Sequence, residues 1–219
     1  MSEGAPSWVW PALFLLGAYH GINPGMGWLF AVALGMQEQS GRAVRRALLP
    51  LGLGHALAIG IMVGLAVTGL AVFPPHILKT AVALILLAFG FYYLLRKPHL
   101  RWAGMMVGFG DLTLWSFLMA SAHGAGLMVL PILFGAMSHD AATAVGIAHH
   151  PPPTGGLDGP WTPVWVVLVH LAGYLTVTGL VAWVVYEKLG LALLRKAWIN
   201  FDLVWSLALI ASSAFVLLV

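Results

Sequence analysis

The 219 residues are 61% hydrophobic and only 8% charged, with a mean hydropathy of +0.94. Soluble domains carry about 25% charged residues, so this composition excludes a soluble globular protein and points to an integral membrane protein. The net charge of +3 does not indicate a nucleic-acid partner, because the ten Lys and Arg are dispersed between apolar stretches, where they set membrane topology.

At about 20 residues per span, the length allows six transmembrane helices and leaves no room for a soluble domain. The expected fold is therefore all-α, a polytopic membrane protein forming a single transmembrane domain over residues 1–219 whose main partner is the lipid bilayer. Six apolar runs lie at about 8–36, 48–73, 77–95, 103–137, 162–186 and 199–219. There is no cysteine, which removes disulfides and thiolate metal sites. Nine histidines and nine methionines remain as metal ligands, most of the methionines being expected to serve packing.

The first run follows Glu3 rather than a basic flank, and it is too long for a signal-peptide core, so it reads as a retained span. It contains Gly17-Ala18-Tyr19-His20-Gly21-Ile22-Asn23-Pro24-Gly25-Met26-Gly27. A histidine and an Asn-Pro-Gly helix breaker at that depth are costly unless they line a polar cavity or a bundle interior. The breaker is expected to unwind a turn and free carbonyls for a cation, with Asn23 on the substrate pathway.

Basic residues then mark three loops: Arg42, Arg45 and Arg46; Arg96, Lys97 and Arg101; Lys188, Arg195 and Lys196. With six spans these loops share one side, which the positive-inside rule makes cytoplasmic. Both termini and the 138–161 loop are then outside. That loop carries His139, Asp140, His149, His150 and Asp158 around a Pro151-Pro152-Pro153 run, and reads either as a metal-collecting segment or as a solvated connection. Trp102, Trp161, Trp165 and Trp198 fall near span ends as interfacial anchors, whereas Trp28, Trp115 and Trp183 are expected to pack.

The two halves of the chain align. His20-Gly21 matches His123-Gly124 at an offset of 103, and Leu53-x-His55 with Gly64-Leu65 matches Leu168-x-His170 with Gly179-Leu180 at an offset of 115. Two three-span units joined in series must run in opposite senses, so the expected architecture is an inverted 3+3 repeat, about 8–95 and about 103–219, with a site near the midplane. At 1.5 Å per residue, His20 and His123 lie roughly 18 Å into their runs, and His55 and His170 roughly 10 to 12 Å.

His20, His55, His123 and His170 are the candidate metal ligands, because a neutral imidazole suits transition metals and also carries protons near neutral pH. The alternative is that each bonds a local carbonyl and holds helices together. Met26 is a candidate thioether ligand that would favour a soft ion. Met128 and Asp111 are candidate pathway residues, Asp111 either gating or pairing with Arg101; Asp202 has the same ambiguity beside Arg195 and Lys196. No phosphate loop, His-Glu-x2-His motif or nucleophile elbow occurs, so an enzyme is not expected.

The segment His20-Gly21-Ile22-Asn23-Pro24-Gly25-Met26, the basic loop Gly41-Arg42-Ala43-Val44-Arg45-Arg46 and then Gly52-Leu53-Gly54-His55 resemble the LysE superfamily, and within it the NicO-type nickel/cobalt transporters. The resemblance covers about 50 residues. It implies a carrier of six to eight spans whose first-span histidines bind a divalent metal, and it carries over His20 and His55 as ligands. The family's efflux branch has His-Gly-x-x-Pro-Gly-His, and Met26 stands here where the second histidine belongs, which favours a softer metal or a substrate that is not a metal.

The expectation is a secondary transporter, an exporter, of a transition-metal cation in a bacterial inner membrane. Nickel, cobalt, copper or zinc would be its substrate or ligand, and no other cofactor is assigned. Two alternatives stand beside it: a transporter of a small organic or amino acid solute, and a metal- or haem-binding membrane subunit of a larger complex. A homo-oligomer is compatible with each.

Overall fold

The computed structural model describes residues 8–95, 108–134, 161–189 and 201–218. Among these residues the chain is helical, with no strand. The helices are α1 (Val9–Ile22), α2 (Trp28–Gln37), α3 (Gly41–Val72), α4 (Pro75–Leu95), α5 (Phe109–Ala122), α6 (Ala125–Phe134), α7 (Thr162–Val184) and α8 (Phe201–Leu218). A 3-10 turn at Pro24–Met26 joins α1 to α2, and a π turn at Val185–Leu189 extends α7. The 138–160 stretch with its histidines lies outside the described residues, as do Arg96, Lys97, Arg101, Trp102, Arg195, Lys196 and Trp198.

Where described, each apolar run is helical, but the first and fourth are each broken in two. In the first, Pro24 has no N–H to continue α1. The Asn23 side chain instead accepts the Gly25 N–H at 2.9 Å and holds a tight turn. Gly27 leaves the turn at φ +128°, a conformation open to glycine and rarely to other residues. In the fourth run, α5 ends at His123 and Gly124 adopts φ +70°, so that α5 and α6 meet at a bend of 51°.

Between α2 and α3 the chain turns within a few residues. Gln39 takes the left-handed conformation at φ +47° and the Ser40 N–H returns to the Gly35 carbonyl at 2.9 Å, a C-terminal cap of the Schellman type. Ser40 then caps α3 by accepting the Arg42 N–H.

Among the described residues two helices are individually long and apolar enough to cross a membrane, Gly41–Gly69 and Thr162–Lys188, and the bent pair α5 and α6 passes the same test together. The apolar segments Val9–Ile22, Trp28–Gln37, His76–Tyr92 and Leu209–Leu218 are shorter. Helix α3 starts seven residues before the apolar run it contains, so its 32 residues place His55 near the middle, about 21 Å from its start rather than the 10 to 12 Å expected.

The helices pack in three principal pairs: α1 with α7, α3 with α5, and α4 with α8. Directions follow from the contacts. Gly17 meets His170 and Tyr174, and Gly21 meets Tyr174 and Thr178, so α1 and α7 run parallel. Gly54 meets Thr113 and Phe117 while Ala58 clusters with Ala120, so α3 and α5 are parallel too. Gly90 meets Ser206 and Ile210, whereas Ser213 bonds the Ala83 carbonyl, so α4 and α8 are antiparallel. A second contact, α3 with α7, joins the first two pairs and brings the histidines together.

Large apolar side chains also face outward. Leu49, Leu65, Leu84 and Leu180 are each 60% exposed or more. A helix apolar on both faces belongs in a protein core or a membrane rather than in water, and this surface is compatible with a membrane protein.

Candidate functional site

Three of the four candidate histidines come together at the α1, α3 and α7 crossing. His20, His55 and His170 are each 0% exposed. Their ring centroids form a triangle: 5.6 Å from His20 to His55, 5.1 Å from His20 to His170 and 5.4 Å from His55 to His170. His20 approaches the other two edge-on, while His55 and His170 lie nearly parallel at 12°.

The closeness of this triangle follows from glycine. At the α1–α7 crossing, a Cβ on Gly17 would collide with the His170 carbonyl, and one on Gly173 with the Phe14 carbonyl. Absence of both side chains lets the backbones touch, which is how membrane helices gain packing energy where lipid supplies no hydrophobic drive. His170 is carried on the touching segment itself.

The nitrogen atoms fall into two roles. His20 Nδ1 donates to the Leu16 carbonyl at 2.6 Å and His123 Nδ1 to the Met119 carbonyl at 2.9 Å, both one turn back on their own helix. With Nδ1 protonated, the neutral ring presents Nε2 as a lone pair. His55 and His170 instead face one another, Nε2 to Nε2 at 3.3 Å, and must hold one proton between those nitrogens to bond. Their Nδ1 atoms are buried and make no hydrogen bond. His123 is 8% exposed.

Tyr174, absent from the expected site, completes it. Its ring stacks on His55 at 3.9 Å and 8°, and its hydroxyl donates to the Met26 carbonyl at 2.6 Å. Thr178 lies one turn further along α7, its hydroxyl 3.5 Å from the Gly21 carbonyl. His170, Tyr174 and Thr178 are spaced i, i+4 and i+8, a polar stripe on a mostly apolar helix that was available in the sequence.

The unwound turn does not offer its carbonyls to a cation. Trp28 Nε1 donates to the Ile22 carbonyl at 2.9 Å, Trp115 Nε1 to that of Gly25 at 3.2 Å, and Tyr174 to that of Met26. The carbonyls of Asn23 and Pro24 accept the N–H groups of Met26 and Gly27. Trp28 and Trp115, expected only to pack, are thus the donors that let a broken backbone exist inside the bundle. Asn23 serves the same turn as its cap.

Met26 and Met128 are 1% and 2% exposed and belong to one apolar cluster with Met119 and Tyr174. Asp111 is exposed and accepts the Gly108 N–H at 2.9 Å, capping α5. Its other expected partner, Arg101, lies outside the described residues. Among the described residues no group of three or more His, Cys, Asp or Glu is arranged to hold a metal ion, so coordination by the triangle requires the rings to turn.

What fold and site define is an all-helical protein with helices able to cross a membrane and an imidazole cluster buried where they cross. Comparison with protein-family models, with curated proteins and with solved structures finds no match.

Proposed function

We propose that this chain is a secondary transporter built as an inverted repeat of three spans plus three, which exports a transition-metal cation through the imidazole cluster. The observation that carries the reading is the meeting of His55 and His170, which come from repeat-related positions, at an Nε2 separation of 3.3 Å with His20 beside them. Tetrahedral coordination with metal–nitrogen bonds of 2.0–2.1 Å sets ligand nitrogens about 3.3 Å apart.

Several relationships support the repeat. Exchanging the two halves turns the α1–α7 pair into the α5–α3 pair and returns α4–α8 to itself, so the set of helix pairs is unchanged. The offsets of 103 and 115 carry the Gly17–Gly173 crossing onto Ala120 and Ala58, which share a buried cluster. They also carry the bond from His20 to the carbonyl one turn back onto that of His123. A six-span topology makes spans one and five parallel, two and four parallel, and three and six antiparallel, which are the directions of the three pairs.

In this reading the close-packed rings belong to an occluded state, and rocking α1 with α7 against α3 with α5 opens the site to either side in turn. The basic Arg42–Arg46 end is cytoplasmic. A single metal would take both Nε2 lone pairs of the His55–His170 pair, the proton between them moving to the Nδ1 of its own ring, which makes no hydrogen bond, with His20 Nε2 as third donor.

One observation favours the organic-solute alternative, namely that among the described residues no group of three or more His, Cys, Asp or Glu is arranged to hold a metal ion. The test separates the two. Cells expressing the wild type retain less of at least one of manganese, iron, cobalt, nickel, copper or zinc than cells expressing His20→Ala at equal membrane abundance. Equal content across the panel overturns the metal reading.

A further inference from the structure

A second candidate site lies at the α3 start, remote from the histidines. Arg42, Arg45 and Arg46 line a cavity of about 470 Å³ together with Leu49 and Phe109. Leu49 continues α3 and Phe109 opens α5, so this is an open depression with an apolar wall shared by two helices that run in the same direction, and the three arginines, all exposed, lie at its α3 end. Arg45 is held in place, its guanidinium 5.8 Å from the centre of the Trp183 ring. None of the three arginines makes an ion pair with a described residue, and the nearby Asp111 carboxylate is directed to the Gly108 N–H.

Three guanidinium groups within two turns of helix repel one another unless an anion lies among them. Arginine's planar fork matches a phosphate, binding two oxygens at once. The apolar wall narrows the choice of anion. Leu49, Leu53, Leu57, Ile61 and Leu65 are all exposed and follow one another at four-residue steps away from the arginines, an apolar ridge that rises about 24 Å while winding part of the way round α3. A soluble phosphate has no use for such a track, and an acidic peptide would place polar backbone against it. A molecule with a phosphate at one end and a hydrocarbon chain of about that length fits both parts.

We propose that the α3–α5 end is a binding site for an anionic phospholipid, the phosphate held by Arg42, Arg45 and Arg46 and an acyl chain lying along the Leu49–Leu65 track. The proposal rests on the membrane reading of the chain and not on the identity of the transported substrate. It goes beyond the positive-inside pattern, which requires positive charge on one side but neither a shared cavity nor a preference among lipids.

The experiment is native mass spectrometry of the full chain released from nanodiscs of equal parts phosphatidylglycerol and phosphatidylcholine. The wild type should retain phosphatidylglycerol selectively. The variant Arg42→Gln/Arg45→Gln/Arg46→Gln should lose that selectivity by about fivefold per guanidinium removed, while Lys188→Gln, outside the cavity, should retain it. Phe109→Ala keeps every charge and should weaken retention of phosphatidylglycerol without favouring phosphatidylcholine. Adding inorganic phosphate at matched ionic strength should not displace the lipid. Equal retention of both lipids by the wild type, selectivity unchanged in the triple variant, or displacement by phosphate alone would overturn the proposal. Each readout is independent of metal content, so failure here leaves the metal reading standing and failure there leaves this one.

Discussion

His55 on α3 and His170 on α7, 115 residues apart in the chain, share a hydrogen bond between like nitrogens: Nε2 to Nε2, 3.3 Å, rings nearly parallel and both fully buried. Such a pair acts as a unit, because removing either ring leaves the other with a buried and unanswered Nε2. His55→Ala, His170→Ala and the double variant should therefore weaken Co(II) binding by similar factors, far short of the product of the single losses. Each loss should be at least the about 10–100-fold that even the outer partners of a ligand contribute. Ligand-field absorption during Co(II) titration of detergent-solubilised protein measures this. Single variants that bind Co(II) as the wild type does would remove the pair from the site.

The α1–α7 crossing should be intolerant of a single methyl group. Gly17→Ala places a Cβ against the His170 backbone, and backbone cannot swing aside as a side chain can. A cost of about 1–3 kcal/mol is expected, read as a lower thermal midpoint. Gly60 and Gly64 on α3 supply the contrast, since a Cβ at either meets nothing within 4 Å. Gly60→Ala and Gly64→Ala should be neutral or stabilising by up to about 1 kcal/mol. Equal destabilisation at all three positions would show that helix composition, and not the crossing, sets the cost.

Which parts of this molecule were legible beforehand follows from the physics of each signal. Helix positions were readable because apolar runs longer than a turn have few alternatives in a membrane. The break after His20 was readable too, since Asn23-Pro24-Gly25 removes a donor and invites a turn. That imidazoles inside apolar runs should meet one another was readable as well, but the depth of His55 was not, because α3 begins before its apolar run. The identity of the groups that quiet the broken turn could not be anticipated, because Trp115 reaches the Gly25 carbonyl from 90 residues away. Composition treats tryptophan as bulk, whereas its single N–H decides its place here. The early start of α3 was hidden for a related reason: Gly41, Arg42, Arg45 and Arg46 are polar or flexible, yet Ser40 caps them into the helix.

Tyr174 joins the histidine cluster to the turn, and the contacts of its ring and of its hydroxyl can be separated. Tyr174→Phe keeps the ring stacked on His55 while deleting the hydroxyl that reaches the Met26 carbonyl. Loss of this buried bond should cost about 1–3 kcal/mol, and proteolysis or hydrogen exchange should locate the loosening at residues 23–27. Tyr174→Leu removes the stack as well and should in addition weaken Co(II) binding, because His55 loses the face that fixes its ring plane. If both variants leave exchange at the turn unchanged, the hydroxyl does not hold it.

The two helix breaks should respond differently to the same substitutions, because their glycines occupy different backbone conformations. Gly124, at φ +70°, lies in the left-handed region that asparagine tolerates. Its Cβ would meet only the tip of Leu209 at 3.1 Å, a side chain able to move. Gly124→Ala should cost about 1–2 kcal/mol, and Gly124→Asn should recover much of that. Gly27, at φ +128° and ψ −19°, lies outside the region asparagine favours, and a Cβ there would press on both methyl groups of the buried Leu51. Gly27→Ala and Gly27→Asn should therefore both be more damaging than Gly124→Ala, with no recovery by asparagine. Thermal midpoints of the four variants in one detergent decide the matter: rescue by asparagine at Gly27, or its absence at Gly124, would mean that the two breaks do not hold the backbone geometry described.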